Sequence, residues 1–366
     1  KGKNGEARIN VDAKWGANTN GLRNYETLNA SEFYETYYDM LYNFYTTEKG
    51  GAMTAADAHA LANRHLTSNS SGVGPGYMVY SGPSGQDFIQ QGGKINPDAT
   101  EGTMYSYNGQ EYWLQADDWE KEGLQRGLRQ EYNTSISGAT EKLNYYTSLG
   151  YLDQEGIQAG SAQDRLTARV KLDYQAKKWL KVGTNTNYSK YNYMQTSEGT
   201  IGTGTIWSTL KTQAPIYPVY YRDANKNIMI DKWGEQMYDF ANNYDLSRAG
   251  GIGGNNIFSN KYRSSKTTGN SFIISGYTDF ILSDNLTFTV NANAYDYETR
   301  YTYINSPFVD YYTSSMDKGS LSKNAQRTFS YNTQQLLNYQ KQFGKHDVSG
   351  MLGHEYYNYK FEDLSA

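Results

Sequence analysis

The sequence predicts an all-β fold: the wall of a transmembrane antiparallel β-barrel, with long loops that carry short helices. Three observations predict it. Stretches of about ten residues alternate apolar and polar side chains again and again, and that length is what a tilted strand needs to cross a bilayer. Tight turns and long connections take turns between these stretches, as in outer-membrane barrels. The composition is polar yet aromatic: 37 Tyr and 36 Gly among 366 residues, with 37% hydrophobic and 15% aromatic residues. Mean hydropathy is −0.80. A disordered chain lacks such aromatics, and an α/β enzyme core carries more Leu, Ile, Val and Ala.

The first alternating stretch is Glu6 to Trp15, with Ala7, Ile9, Val11, Ala13 and Trp15 on one face. Taken alone, it fits a soluble sandwich equally well. The second carries Tyr132, Thr134, Ile136 and Gly138, and the third Leu143, Tyr145, Thr147, Leu149 and Tyr151. Leu166, Ala168, Val170, Leu172 and Tyr174 mark the fourth; Leu180, Val182, Thr184, Thr186 and Tyr188 mark the fifth. Phe272 to Phe280, Leu286 to Ala294, Phe329 to Tyr339 and Val348 to Tyr356 complete nine strands. The opposite faces offer Asn, Thr, Ser, Lys, Arg and Asp, suited to a wide aqueous interior. Trp15, Tyr132, Tyr151, Tyr174, Trp179 and Tyr188 are expected near strand ends, at headgroup level.

Tight turns are expected at 140–142, 177–179, 283–285 and 343–345. The connections 17–129, 153–164, 193–266 and 300–325 are expected to be long and external, and 17–129 and 193–266 are the two large loops of a single partial barrel spanning 1–366. Asn29 and Glu32 have capping-box spacing before a helix over 33–43. Another helix is predicted over 54–66, and loop over 68–85 and 92–99. Residues 17–129 hold seven Lys or Arg against fourteen Asp or Glu. That loop is therefore net −7, and the rest is +3 within a total of −4.

Several chemistries are disfavoured. With no cysteine there is no disulfide, Cys metal site or Cys nucleophile. An acidic balance argues against nucleic-acid binding. His59, His65, His346 and His354 are dispersed, and His59 and His65 lack the i, i+4 spacing of a helical metal pair. No pair of carboxylates stands out as acid and base, so no enzyme activity, metal or cofactor is expected. Asp223, Asn225, Asn227 and Asp231 have calcium-loop spacing, but Ile228 stands where Gly is needed; a polar hairpin is the preferred reading. The sequons at Asn69, Asn133 and Asn285 are read as chance.

Asp118-Trp119 and the run Gly127 to Gly138 resemble segments of the SusC/RagA family of TonB-dependent outer-membrane transporters. So do Asn144 to Gly156, Lys178 to Asn185 and Ala214-Pro215-Ile216-Tyr217-Pro218-Val219-Tyr220, the last seen after a short helix. Lys1-Gly2-Lys3 looks like the end of the family's plug. The resemblance extends over nearly the whole chain. It implies about nine strands of a 22-stranded barrel, beginning after the plug. Such a piece, with two open sheet edges, is expected not to insert or transport by itself.

The resemblance also implies location in the cell outer membrane and TonB-dependent import of oligosaccharides or oligopeptides. A SusD-like surface lipoprotein would cap the barrel, and the TonB–ExbB–ExbD complex would act through the absent N-terminal part. Sugar rings stack on aromatic faces, which makes Trp113, Trp207, Tyr217, Tyr220, Tyr221 and Trp233 candidate contacts to ligand or lid. Trp119, inside a family-like segment, is read as structural. Two other classes stay open: a passive or structural outer-membrane barrel, and a soluble extracellular carbohydrate-binding β-protein.

Overall fold

Backbone amides on a strand must pair sideways, and here they do so in one continuous meander. The computed structural model describes residues 6–21, 26–69, 72–196, 205–240, 246–249, 254–307 and 319–366. The Lys1-Gly2-Lys3 motif lies outside them. Strand β1 is Arg8–Asn18. Helices α1 (Ala30–Thr46) and α2 (Ala55–Leu66) follow. Strands β2 (Tyr80–Ser81) and β3 (Thr100–Glu101) form one small ribbon, β4 (Thr103–Tyr107) and β5 (Gln110–Leu114) another. Helix α3 (Trp119–Gly123) leads back to the wall.

The wall continues with β6 (Gly127–Ala139), β7 (Leu143–Glu155), β8 (Ala162–Lys177) and β9 (Leu180–Thr196). Helices α4 (Ile206–Thr212) and α5 (Asn256–Tyr262) belong to the second large loop. Strands β10 (Arg263–Ser283), β11 (Leu286–Asn305), β12 (Ser320–Phe343) and β13 (His346–Ser365) end the chain. The nine long strands form one antiparallel sheet in the order β1-β6-β7-β8-β9-β10-β11-β12-β13. Among the described residues, no helix is long and apolar enough to cross a membrane.

Register turns the alternation into a two-faced wall. Ile9 pairs with Ile136 and Ala13 with Tyr132. Tyr132 pairs with Tyr151, and Tyr151 with Leu166. Farther along, Leu180 pairs with Phe280, Phe280 with Phe288, Phe288 with Leu337, and Leu337 with Leu352. Side chains opposite one another in a ladder share a face, so one apolar surface runs through all nine strands. Phe272 and Phe280 share this face of β10, eight residues apart. That is about 27 Å along a strand and about 20 Å of height at the ~40° tilt usual in barrels, close to the thickness of their apolar band.

The strands run farther than alternation suggested. The large loops narrow to 19–126 and 197–262, and the connection expected over 153–164 narrows to 156–161. The alternation of short and long connections is thus uneven, because polar residues beyond the apolar band still pair backbone to backbone. For the same reason Tyr132 and Tyr188 sit mid-strand rather than at strand ends. The four tight turns fall where expected. At one of them Gly344 takes φ +62°, a conformation that suits glycine.

The helices obey their caps. Asn29 accepts from the Glu32 amide, and Glu32 accepts from the Asn29 amide, both at 2.9 Å. Thr54 caps α2 by accepting from the Asp57 amide, without the reciprocal bond. Tyr34, Tyr38, Leu41 and Tyr45, one stripe of α1, are buried against Ala58, Ala62 and Leu66 of α2. A second stripe, Phe33, Tyr37, Met40 and Phe44, ends in exposed Met40 and Phe44.

Candidate functional site

Two surfaces invite a functional reading: the polar inner face of the wall and the cap above it. The inner face presents Lys171, Asn185, Ser275, Asn293 and Asn332 in one ladder row. A shallow hollow of about 390 Å³ opens there, lined by Lys171, Asp173, Asn185, Tyr277 and Asn293 among others. The Tyr277 hydroxyl donates to Asp173 at 2.7 Å, and Lys181 lies 5.1 Å above its ring. Asn293 donates to Asn332 at 2.8 Å, and Asn332 to Glu355 at 2.8 Å.

Toward the cap, this inner face becomes aromatic. The Tyr191 and Tyr297 hydroxyls are 2.9 Å apart, and the Tyr295 and Tyr297 rings lie nearly parallel at 6.0 Å. Tyr359 and Phe361, in the same rows, are exposed. Bare glycines make room for some of these rings. A Cβ on Gly269 would stand 2.2 Å from Tyr191, and one on Gly183 equally close to Tyr277. This inner tyrosine set was absent from the loop-centred candidates. The signal was present in the alternation itself, as Tyr at inward positions of consecutive strands.

The cap is held by buried charge. Asp239 and Arg248 pair at 2.8 Å with almost no exposed surface. The guanidinium also donates to the carbonyls of Gly254 and Asp239 and lies 5.1 Å over the Trp119 ring. Tyr77 donates to the Asp239 carboxylate at 3.0 Å. Burial, with the adjacent Asp239 charge, lifts the Tyr77 hydroxyl well above its usual range. Arg222 grips Asp117 with two bonds of 2.6 and 2.9 Å. These links tie the 19–126 loop to the 197–262 loop.

The six aromatic candidates separate sharply. Tyr217 is fully buried; its hydroxyl donates to the Pro75 carbonyl at 2.9 Å, and its own carbonyl accepts from Trp119. Tyr220 is buried and donates to Glu122 at 2.7 Å. Burial and Glu122 together raise its hydroxyl pKa. Tyr221 is buried and bonds to the Phe240 amide. These three therefore pack loop on loop, where no ligand reaches them in this arrangement. They sit in an apolar Tyr-Pro-Val-Tyr-Tyr run that the cap needs for its own core. Trp113 and Trp207 are half-buried, with Lys226 4.2 Å above the Trp113 ring. Trp233 is exposed.

Trp233 tops a double hairpin. Asp223 accepts from the Asn225 and Asn227 amides, and Asp231 from the Trp233 and Glu235 amides. The fourth residue of each turn, Lys226 or Gly234, takes a positive φ of 68° or 86°. These carboxylates thus organise polar turns. Among the described residues no cluster of three or more His, Cys, Asp or Glu is arranged to hold a metal. Glu235, at the hairpin base, accepts from Tyr262 and Lys261 of α5. Those two bonds, Tyr262's first, hold its carboxyl below the usual range.

No family model matches the chain. It is 28% identical over 229 residues to TonB-dependent receptor P26 of Formosa agariphila, covering 60% of this chain and 20% of the relative. It is 27% identical over 248 residues to TonB-dependent receptor P39 of the same organism, covering 66% and 21%. The chain thus spans about a fifth of the length of these curated relatives. All of it superposes on the RagAB peptide importer in the closed-closed state, with TM-score 0.61 and 20% identity over 36% of that chain. The RagAB peptide transporter gives TM-score 0.62 at 21% identity, again over 36% of that chain.

Proposed function

We propose that this chain, which is similar to TonB-dependent receptors and shares the fold of the RagAB peptide importer, builds wall and cap of an outer-membrane importer for oligosaccharides. The two-faced register carries this reading: one face is apolar through nine strands, while the other is lined by amides, hydroxyls and tyrosines. An apolar outer band of barrel height suits lipid. The inner face suits a hydrated polymer: asparagine amides pair with hydroxyls, and Tyr191, Tyr295 and Tyr297 offer ring faces and edges.

In this reading a SusD-like surface lipoprotein covers the cap. The exposed end of the Phe33–Tyr37–Met40–Phe44 stripe and exposed Trp233 supply apolar contact area for it. The TonB–ExbB–ExbD complex supplies energy through parts of the protein outside this chain. Trp113, Trp207 and Trp233 stay candidates for ligand or lid contact. An oligopeptide cargo is the second reading, favoured by the likeness to the RagAB peptide importer.

Uptake of fluorescent oligosaccharides and oligopeptides by cells carrying, lacking or altered in the complete gene tests both. The Tyr295→Ala/Tyr297→Ala double variant, at unchanged outer-membrane level, is expected to lower oligosaccharide uptake about tenfold or more, since each stacking ring is worth about 1 kcal/mol. Selective loss of oligopeptide uptake assigns the cargo to peptides. Normal uptake of both by cells lacking the gene overturns the importer reading.

A further inference from the structure

The outer face changes character just beyond the apolar band, on the side of the cap. Tyr188, Phe272 and Phe329 close the band on β9, β10 and β12. The next outward row across β9 to β12 is Lys190, Asn270, Glu298 and Arg327. One row higher, Arg300 stands on β11. Lys266 and Lys323 follow, flanking Thr302. Five cations therefore share one patch. Facing them are Asp296, paired with Arg327 at 2.8 Å, and Glu298, paired with Arg300 at 2.7 Å. Asp164 stands at the edge on β8, engaged by the Asn192 amide at 2.8 Å. On β13, Lys360 and Glu362 neutralise each other at 2.7 Å.

The patch is positive by two charges, although the whole chain is −4. Lys190, Lys266 and Lys323 are exposed, and among the described residues no carboxylate lies within ion-pair distance of them. A strand that only needed to clear the membrane would be served by Ser and Thr. Cations set directly above a lipid-facing band instead meet the level of lipid headgroups, where a phosphate is their natural counter-charge. Lysine serves as a point charge for phosphate and arginine as a fork.

We propose that Lys190, Lys266 and Lys323, with Arg300 and Arg327, form a docking belt for the phosphate groups of the phosphorylated glycolipid of the outer leaflet. The proposal rests on reading the chain as part of an outer-membrane barrel. The belt binds lipid from the side, outside the conduit, and leaves the inner face to cargo.

The test uses the complete protein purified from its own membrane, by native mass spectrometry with added glycolipid in phosphorylated and dephosphorylated forms. The wild type is expected to retain the phosphorylated form preferentially. Lys190→Gln/Lys266→Gln/Lys323→Gln is expected to weaken that retention about fivefold per lysine, the effect of one cation near an anionic surface. All three side chains are exposed, so folding should persist, and heat-modifiable gel mobility checks it. Equal retention of the phosphorylated lipid by wild type and triple variant overturns the belt. So does equal retention of the dephosphorylated lipid by the wild type. Protein recovered outside the membrane fraction, in wild type and variant alike, sinks the barrel reading itself. Membrane-embedded protein with lysine-independent binding sinks the belt alone.

Discussion

Wall and cap are built on opposite principles. The wall buries little: most residues of β8 to β12 are half-buried or exposed. Its order comes from backbone pairing and from glycines that admit tyrosine rings. The cap, by contrast, has cores of its own. Tyr34, Tyr77, Tyr217 and Phe258 are almost wholly buried, and Asp239 with Arg248 forms an ion pair shut away from water. A barrel wall can borrow its second solvent from the bilayer, so alternating polarity is enough. A cap standing in water needs a conventional interior, and polar loops reach one by burying tyrosines whose hydroxyls find carbonyls and carboxylates.

The sharpest way to break this comparison is at Arg248. Arg248→Ala would leave Asp239 buried and uncompensated and remove the bonds to the Gly254 and Asp239 carbonyls. Breaking a buried pair costs about 3–5 kcal/mol. Hydrogen exchange should accelerate over 205–262 and around Tyr77, while β8 to β12 keep their protection. Equal loss in the wall would show that the two regions are one cooperative unit.

The same contrast explains what was legible in advance. Period-2 alternation reports a two-faced environment directly, so nine strands and four tight turns could be read from single residues. Asn29 and Glu32 announced α1 because a capping box is local. Strand ends were missed because residues beyond the apolar band keep pairing without any polarity signal. Tyr217, Tyr220 and Tyr221 were misplaced because an aromatic loop residue looks the same whether it awaits a ligand or a partner loop. Their partners, Pro75, Glu122 and the Phe240 amide, lie far away or carry no distinguishing side chain. Arg248 and Asp239 were invisible for a related reason: charge in a loop sequence reads as solvated until the fold buries it.

A second test addresses the wall. Gly269→Ala would place a methyl group 2.2 Å from the Tyr191 ring. Overpacking of this kind costs about 1–3 kcal/mol. The unfolding midpoint of the sheet should fall, and Tyr191→Ser in the same chain should recover part of the loss by vacating the space. The cap, having no share in this contact, should keep its exchange protection. A Gly269→Ala protein as stable as the parent would mean that the ring slides aside freely and that the glycine is incidental.

The smallest effect separates two parts of the cap by pH. His65 of α2 meets the Tyr45 hydroxyl of α1 through Nδ1. Burial, then the nearby Arg64 charge, lowers its pKa from the ordinary 6.5. The folded cap therefore binds this proton less readily than the unfolded chain does, and stability rises with pH across that window. The contribution is fully present above 6.5 and shrinks as pH falls below it. Glu235 acts in a separate, lower window. Its folded pKa lies below 4.5, so its tie to α5 is complete above that value and lost only as pH falls through the depressed one. Mild acidification should thus loosen the α1–α2 pair first, seen as faster amide exchange in α2, while the hairpin at Glu235 holds. His65→Gln should remove the first step and leave the second. If α2 exchange is unchanged by mild acid in the parent protein, the Tyr45–His65 contact contributes nothing to holding the helices together.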